Sequence, residues 1–338
     1  MPNVSVVILN FNGKDVLREC LKSLAKQSYR DYEVIVSDNN SSDGSQAMVR
    51  KEFPKVKLLA NDKNYGVSEG YNRGVAAAKG RFVATLANDM VLDRDWVKEA
   101  VAVFSDKKVA AAGSYIKNKD EGFYRGEQVF GFYMDLLGNP VTLHKETPGY
   151  IFGPSGAIFD RKKIAMPYDN DYFYSGDEIY LGWQTLLKGW NTAQANKARL
   201  FHIGRVSVNA GGVSAFVEFH GEKDKYLNLL IFYSGATLLK MLPLMLLNTI
   251  ITLLLSILRR RTHIRLKSYW WLITNIGLVM KKREDMQKQR KATEKEIFRY
   301  VTYRSPYNIP FLTPLMNALF YLYCVVLRIP VMELQGKS

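Results

Sequence analysis

The chain has few cysteines: Cys20 and Cys324 are the only two among its 338 residues. They stand far apart in sequence, so nothing indicates a disulfide framework or a Cys-x-x-Cys zinc site, and a reducing compartment is favoured. The chain also lacks an internal repeat and any recognisable nucleic-acid-reading module, so no nucleic-acid partner is expected. We expect no secretory signal either, because the first three residues lead directly into a predicted strand.

Acidic residues are scarce in the last third of the chain. Residues 222–338 hold 19 Lys/Arg and 7 Asp/Glu, a net charge of +12, whereas residues 1–221 hold 28 and 25, a net charge of +3. The basic runs flank long apolar stretches, a combination that favours an anionic membrane surface as a partner. At 47% apolar and 12% aromatic residues the chain has enough material for a sizeable core.

The first third of the chain alternates between two kinds of apolar pattern. Residues 4–9, 32–36, 56–59 and 81–86 are short apolar runs typical of strands, and segments with helical spacing separate them. A β-α-β-α-β-α-β order predicts an α/β fold with a doubly wound, mostly parallel sheet that binds ligands at the carboxyl ends of its strands. We therefore predict an α/β domain over residues 1–225 and a helical region over residues 226–338.

Two acidic clusters stand out against this pattern. Asn88-Asp89 follows the fourth predicted strand, and Asp177-Glu178 comes shortly before Trp183. An acid just past a strand end can hold a metal on a diphosphate, and a second acid pair on another element can take a proton. Together they predict metal-assisted group transfer from an activated donor.

Six segments, taken in order and spacing, resemble the family-2 nucleotide-sugar glycosyltransferases with the GT-A fold, close to the rhamnosyltransferase-like branch. The resemblance covers about residues 3–230 and implies a Rossmann-like GT-A domain that binds a nucleoside-diphosphate-sugar. The segments are residues 6–12, 37–45, 64–74, 86–89, 177–183 and 202–207.

The resemblance implies a donor site along the strand ends. Asp38 takes the place of the acid that binds the donor's base, since an acceptor fixed at a strand end can bind an imide N–H; the alternative is that it only caps the next turn. Arg73 would face a phosphate, unless the glycine-rich segment around it merely packs on the sheet. The full predicted donor set is Asn10, Asn12, Asp38, Asn40, Gly66, Asn72, Arg73, Asn88 and Asp89.

The resemblance also implies a metal site. Asp89 matches the last position of the family's metal motif, and His202 would complete the shell around Mn²⁺ or Mg²⁺. Ala87 stands where the motif has an acid or Asn, which predicts a weaker or more water-bound ion. The alternatives are a turn aspartate without metal and a structural histidine.

Glu178 matches the family's general base, with Asp177 as its neighbour, and it would deprotonate an acceptor hydroxyl for in-line displacement with inversion. The alternative is a surface acid pair at a helix start. Tyr180 and Gln184 depart from the family pattern, where a further acid and an Arg are usual. Gly156 and Trp183 are predicted to contact the acceptor.

We therefore expect an inverting glycosyltransferase that acts on a lipid-linked or cell-surface glycan. Its 226–338 region would be membrane-associated, at the cytoplasmic face of the cell membrane. The alternatives are a non-catalytic nucleotide- or glycan-binding subunit and a nucleotidyltransferase, for which the loop after the first strand matches poorly.

Residues 241–258 carry no charge and are near the lower length limit of a spanning helix. Nucleotide sugars are cytoplasmic and Arg259–Arg261 prefers the same side, so one crossing would separate the two. We expect a re-entrant hairpin or in-plane helices there, with a soluble subdomain or oligomer interface as the alternative.

Overall fold

The computed structural model describes residues 1–118, 128–146, 149–174, 176–203, 214–304 and 312–335. The chain forms two compact units. Unit 1 comprises Met1–Phe132, Thr142–Thr185 and Trp190–Gly212, and unit 2 comprises Tyr133–Val141, Leu186–Gly189 and Val213–Ser338. The boundary predicted at residue 225 falls inside a helix, Ala215–Phe232, and stays a prediction.

The strands and helices follow in chain order. The strands are β1 (Val4–Asn10), β2 (Tyr32–Asp38), β3 (Lys57–Ala60), β4 (Phe82–Ala87), β5 (Met90–Leu92), β6 (Val109–Asn118), β7 (Gln128–Val129), β8 (Phe132–Asp135), β9 (Pro140–Thr142), β10 (Tyr150–Ile151), β11 (Ile158–Asp160), β12 (Asn191–His202) and β13 (Val301–Thr302). The α-helices are α1 (Lys14–Ala25), α2 (Ser45–Glu52), α3 (Gly66–Ala77), α4 (Trp96–Ala102), α5 (Asp177–Leu187), α6 (Ala215–Phe232), α7 (Gly235–Leu258), α8 (Thr262–Thr274), α9 (Ile276–Lys288), α10 (Glu294–Phe298), α11 (Leu312–Val326) and α12 (Met332–Gln335).

Unit 1 is built on one mixed sheet of order β10-β12-β6-β11-β4-β1-β2-β3. β1, β2, β3 and β4 are mutually parallel, as the alternating pattern predicted. In this register Asn10 is opposite Asp38, and Leu9 is opposite both Ser37 and Ala87. The carboxyl ends of β1, β2 and β4 therefore meet at one edge, where the α/β fold is expected to bind ligands.

The sheet is buried on both faces, which explains the almost continuous apolar run of β1. Val6 and Ile8 share one core cluster with Leu17 and Leu21, which recur at helical spacing on α1. Val7 points to the opposite face and belongs to the cluster of Val75 on α3. The α/β, doubly wound prediction is confirmed.

The second half of the sheet mixes directions. β11 lies antiparallel between β4 and β6, and β12 runs parallel to β6. The short β5, which follows the Asn88-Asp89 turn, pairs antiparallel with the end of β12, with Met90 opposite His202. This ribbon carries the acid of the predicted metal motif to the histidine 113 residues further along.

Unit 2 is helical, with one small sheet of order β13-β8-β9. Its α7 is, within the described part of the chain, the single helix long and apolar enough to cross a membrane. The predicted helical C-terminal region is thus confirmed.

Candidate active site

Asp89 and His202 lie side by side at the carboxyl edge of the sheet. The Oδ2 atom of Asp89 is 3.1 Å from Nε2 of His202, and the Ile203 amide donates to the Asp89 carbonyl at 2.9 Å. The hydrogen bond to Asp89 raises the pKa of His202, although burial opposes the shift. The sequence predicted this pairing, and the structure brings the two side chains together.

The residues present fit a divalent cation. The second oxygen of Asp89, Oδ1, is buried and has no hydrogen-bond partner among the described residues. Carboxylate oxygen and imidazole nitrogen are ordinary ligands of Mn²⁺ and Mg²⁺. Across the described residues no group of three or more His, Cys, Asp or Glu side chains forms a metal cluster. An ion held here would thus take most of its ligands from water and phosphate.

The acid pair begins α5, and its second member is held in place. Glu178 accepts from the backbone amide of Gly156 at 3.0 Å and from the Ser155 hydroxyl at 3.3 Å. Gly156 has φ +58°, and a Cβ added there would lie 2.6 Å from Leu200. Gly156, predicted to contact the acceptor, therefore has an observed role as the donor that orients Glu178.

Burial raises the pKa of both Asp177 and Glu178. The charge of Asp177 raises the pKa of Glu178 further, while the Gly156 amide and Ser155 hydroxyl oppose the shift. A carboxylate with a raised pKa is a better proton acceptor than an ordinary glutamate. This environment suits a general base better than it suits a solvated helix-start acid.

Asp38 is fully buried and both of its oxygens are occupied. Oδ2 accepts from the Asn10 amide and the Ser41 hydroxyl, each at 2.7 Å. Oδ1 accepts from the Ser41 backbone amide at 2.9 Å and from the Gln46 amide at 2.8 Å. The structure thus shows the turn-capping role, and an imide N–H would have to replace one of these donors to reach Asp38.

Asparagines line the same edge. The Asn88 amide donates to Asn10 Oδ1 at 2.7 Å, which links the ends of β1 and β4. Asn12 and Asn40 both have left-handed backbone conformations, with φ +50° and +62°, which asparagine tolerates better than most residues. Asn12 Oδ1 also accepts from the Ser42 amide at 2.8 Å. These residues shape the loops over the strand ends, as the predicted donor site requires.

Gly66 begins α3 next to the loop that precedes the acid pair. The Val67 amide donates to the Phe173 carbonyl at 2.7 Å and the Ser68 amide to the Tyr172 carbonyl at 3.3 Å. A Cβ on Gly66 would lie 2.4 Å from the Phe173 carbonyl oxygen, at φ +76°. The 172–173 backbone therefore packs against this helix start and requires glycine there, and the contact of Gly66 with the donor stays a prediction.

We expect Gly66→Ala to destabilise unit 1 by about 1–3 kcal/mol, because it combines a left-handed φ with a clash against backbone. Urea denaturation of the purified protein measures the loss. Gly149→Ala is the matched control: Gly149 also has a positive φ, +93°, but no atom of the described residues lies within 4 Å of its added Cβ. Equal losses in the two variants would show that φ alone, and not the contact with Phe173, sets the requirement for glycine.

Two further members of the predicted donor set make contacts within the protein. Arg73 donates to Asn61 Oδ1 at 2.8 Å and stacks on the Tyr65 ring at 4.1 Å. Asn72 donates to the Tyr168 carbonyl at 2.8 Å and to Asn170 at 2.7 Å. The alternative of a helix that packs on the sheet explains both sets of contacts.

The position of Trp183 contradicts its predicted contact with the acceptor. Its side chain has no exposed surface and packs edge-on against Phe152, with ring centroids 4.8 Å apart. A residue so placed contributes to the core and offers no surface to an acceptor. The departures at Tyr180 and Gln184 are explained in the same way, since Tyr180 packs on Tyr172 and Gln184 donates to the Pro167 carbonyl.

Sequence reasoning missed the residues that orient the site. Asn118 Oδ1 lies 2.8 Å from His202 Nδ1, Ser155 contacts Glu178, and Gln46 contacts Asp38. Tyr71 on α3 is buried, and both burial and the Asp177 carboxylate raise the pKa of its phenol. Tyr71 lies in the glycine-rich segment and Ser155 directly precedes Gly156, which was predicted to contact the acceptor. No sequence signal marked Asn118 or Gln46.

Comparisons with known proteins place similar sequences among the glycosyltransferases. Residues 5–165 match the family described as glycosyl transferase family 2. The chain is 37% identical over 94 residues to a Campylobacter jejuni GalNAc(5)-diNAcBac-PP-undecaprenol beta-1,3-glucosyltransferase, which covers 26% of this chain and 30% of that protein. It is 24% identical over 228 residues to the Escherichia coli UDP-Glc:alpha-D-GlcNAc-diphosphoundecaprenol beta-1,3-glucosyltransferase WfgD, over 65% and 84% of the two chains.

A similar fold is found in the mannosyltransferase PcManGT of Pyrobaculum calidifontis, solved with GDP-Man and Mn²⁺. The TM-score is 0.51 at 17% identity, over 85% of this chain and 84% of that chain. This likeness shows the GT-A fold. The chain spans less than two thirds of the length of three of the curated relatives it matches, and the rhamnosyltransferase-like branch stays a prediction.

Proposed function

Since residues 5–165 match glycosyl transferase family 2, we propose that the chain is an inverting transferase of that family. It moves a sugar from a nucleoside-diphosphate-sugar to a hydroxyl group of a lipid-linked or cell-surface glycan. The observation that carries the proposal is the placement in unit 1 of two separate functional pairs. Asp89 and His202 offer a metal site at the strand ends, and Asp177 and Glu178 offer a half-buried acid pair with raised pKa values.

Glu178 is the general base in this proposal. Its carboxylate takes the proton of the acceptor hydroxyl while that oxygen attacks the anomeric carbon, and the nucleoside diphosphate leaves from the opposite side. The Gly156 amide and the Ser155 hydroxyl fix its orientation. Asp177 raises the proton affinity of Glu178 by its charge. One base is sufficient because the transfer is a single in-line displacement.

Asp89 and His202 would hold Mn²⁺ or Mg²⁺, which when bound supplies positive charge to the diphosphate. Asn118 holds His202 through Nδ1 and so leaves Nε2 directed at Asp89. Asn10, Asn12, Asn40 and Asn88 line the same edge and are proposed to border the donor. Asp38 remains a candidate for the donor's base if an incoming N–H replaces the Gln46 amide.

The acceptor class is inferred from relatives. Two of them are named as glucosyltransferases with undecaprenol-linked diphosphate substrates. The basic, apolar composition of unit 2 agrees with an acceptor presented at a membrane, and cytoplasmic nucleotide sugars place unit 1 on that side. We therefore propose the cytoplasmic face of the cell membrane as the site of the reaction.

The test is nucleoside-diphosphate release from UDP-, dTDP- and GDP-sugars by detergent-solubilised protein, with and without Mn²⁺ or Mg²⁺ and with lipid-linked saccharides added. We expect metal-dependent release from one donor. Tight nucleotide binding without release from any donor, in the presence of such acceptors, would favour the non-catalytic binding subunit.

A further inference from the structure

The long apolar helix α7 has two different faces. Its side toward the protein carries a polar and methionine stripe at helical spacing, from Thr237 through Met241 and Met245 to Ser256, all of them buried. Its other side carries ten aliphatic side chains between 45 and 81% exposed. These are Leu239, Leu242, Leu246, Leu247, Ile250, Ile251, Leu254, Leu255, Ile257 and Leu258. Exposure of this kind is far beyond the scattered apolar residues of an ordinary surface.

The carboxyl end of α7 is tied to charged groups within unit 2. Arg261, just beyond the helix, pairs with Glu218 of α6 at 3.1 Å. Further back, the Tyr226 hydroxyl of α6 bonds the Thr249 hydroxyl at 2.6 Å, and Tyr269 of α8 donates to Glu222 at 2.7 Å. This end of α7 therefore lies on a polar network of α6 and α8.

The amino end of α7 is tied down in the same way. Arg283 of α9 donates to the carbonyls of Leu230 and Tyr233, each at 2.6 Å, where α6 ends. The Ser234 amide, which precedes α7, donates to Glu294 at 3.1 Å. Charged side chains thus hold both ends of α7.

The helix beside α7 could not follow it into a bilayer. α6 carries Glu222, Lys223 and Asp224 in succession, all of them at least 93% buried within the protein. A crossing α7, or a re-entrant α6–α7 hairpin, would carry this charged segment and one of the two anchored ends to hydrocarbon depth. Ionised groups at that depth are strongly disfavoured.

Two neighbouring helices extend the apolar surface. On α8, Leu266, Trp270 and Ile273 are 52, 65 and 63% exposed and follow the i, i+4, i+7 spacing of one face. α11 contacts α7 through a hydrogen bond from Tyr323 to the Lys240 carbonyl. It exposes Leu315, Leu319, Leu322 and Val326 at the same spacing.

Basic residues accompany these faces. Arg259 and Arg260 are exposed directly after α7, Lys267 lies beside Leu266 on α8, and Lys281 follows the exposed Met280 on α9. No Asp or Glu occurs between Asp224 and Glu284. This surface therefore carries only positive charge, which complements anionic headgroups. A second copy of the same surface would bring like charges together.

We propose that α7, with the exposed faces of α8 and α11, is a monotopic insertion surface that lies parallel to one leaflet of an anionic lipid bilayer. The helix neither crosses the bilayer nor enters it as a hairpin. The proposal specifies the membrane partner of the function proposed above. Its test involves no sugar transfer, so failure of one leaves the other standing.

The experiment measures the depth of single spin labels in the full chain bound to phosphatidylglycerol-containing vesicles. Labels replace Leu242, Leu246, Ile250 and Leu254 one at a time; Cys20 and Cys324 are buried, and the unsubstituted protein gives their background. In-plane insertion predicts equal depths within about 5 Å, close to the headgroup boundary. A helix along the membrane normal predicts a spread of roughly 18 Å between the first and the last label, which are twelve residue steps apart.

A graded depth profile would overturn the proposal, as would labels that remain water-exposed in the presence of vesicles. Labels that are immobile and spin-coupled before vesicles are added would show that a second copy covers the face, which would also overturn it.

A flotation assay is the companion measurement. Leu254→Glu is expected to weaken vesicle binding by roughly tenfold or more, because an apolar contact is replaced by a charge. Gln289→Glu is the matched control, since Gln289 is exposed and follows α9, outside the three helices of the proposed surface. Equal loss in both variants would assign the effect to net charge and contradict insertion. Arg260→Glu should weaken binding to anionic vesicles and leave binding to pure phosphatidylcholine vesicles almost unchanged.

Discussion

Glu178→Gln is expected to lower the turnover of donor and acceptor by roughly 10²–10⁴-fold, the usual contribution of a general base. The substitution keeps the shape of the side chain and an oxygen for the Gly156 amide, which now lies 3.0 Å from Oε1. It removes the group that accepts the proton. The measurement is kcat for sugar transfer with saturating donor, together with the Kd for the nucleoside diphosphate, which we expect to be unchanged.

Asp177→Asn is the matched control for that variant. Asp177 acts on Glu178 through its charge, so its removal should lower the pKa of the base and leave most of the activity. If Asp177→Asn abolished transfer and Glu178→Gln did not, the two roles would be reversed. If both variants kept full activity, the acid pair would not be catalytic.

The pH dependence of transfer follows from the same environment. The base must be ionised, and burial and Asp177 raise the pKa of Glu178, so kcat/KM should rise with pH above the ordinary glutamate value of about 4.3. The contribution of Glu178 to the stability of the folded protein changes with pH in the opposite direction. A carboxyl whose pKa is raised on folding stabilises the protein below its unfolded pKa, and that contribution is lost as pH rises through the folded pKa. Glu178→Gln should therefore be at least as stable as the parent protein at neutral pH.

Asp89→Ala is expected to reduce transfer by roughly a hundredfold or more, because one of two protein ligands of the proposed ion disappears. The direct measurement is Mn²⁺ binding by electron paramagnetic resonance in the presence of nucleoside diphosphate. Free Mn²⁺ should increase relative to the parent protein. The orphaned Oδ1 of Asp89 makes this residue, and not Asn88, the expected ligand.

Asp95→Ala is the control, because it also removes one acid close to β5, the strand that follows Asp89. Asp95 is exposed and bonds only Ser28 among the hydrogen bonds described for its side chain, so its variant should bind Mn²⁺ as the parent does. Unchanged Mn²⁺ binding in Asp89→Ala would contradict the assignment of the ion to this pair.

The sheet was predictable because local patterns determine it. Val6, Val7 and Ile8 form an apolar run that only a strand buried on both faces explains, and the polar residues that follow mark the strand's end. The Asp89–His202 and Asp177-Glu178 pairs could also be predicted, through resemblance in order and spacing. The resemblance put Glu178 in the place of the general base, and the contact with Gly156 adds what the sequence could not give, the orientation of its carboxylate.

The contacts that orient the site were not predictable, since they join distant segments through common residue types. Asn118 contacts His202 across 84 positions, and an asparagine at a strand end carries no distinctive signal. Trp183 was wrongly assigned to the acceptor because an aromatic residue close to acids is equally typical of a sugar site and of a core. Gly66 was assigned to the donor because a glycine permits close approach without indicating what approaches.

β12 contains a bulge, and the number of residues between this bulge and His202 is fixed by the pairing that follows it. Ser114 is opposite Ala195 and Tyr115 is opposite Arg199, so three residues of β12 have no partner on β6 before the ladder resumes toward His202. One residue inserted or deleted between Arg199 and His202 would turn the imidazole to the other face of the sheet, away from Asp89. Homologous chains should therefore vary in side chains along this ribbon while keeping its residue count, whereas loops elsewhere gain and lose residues freely.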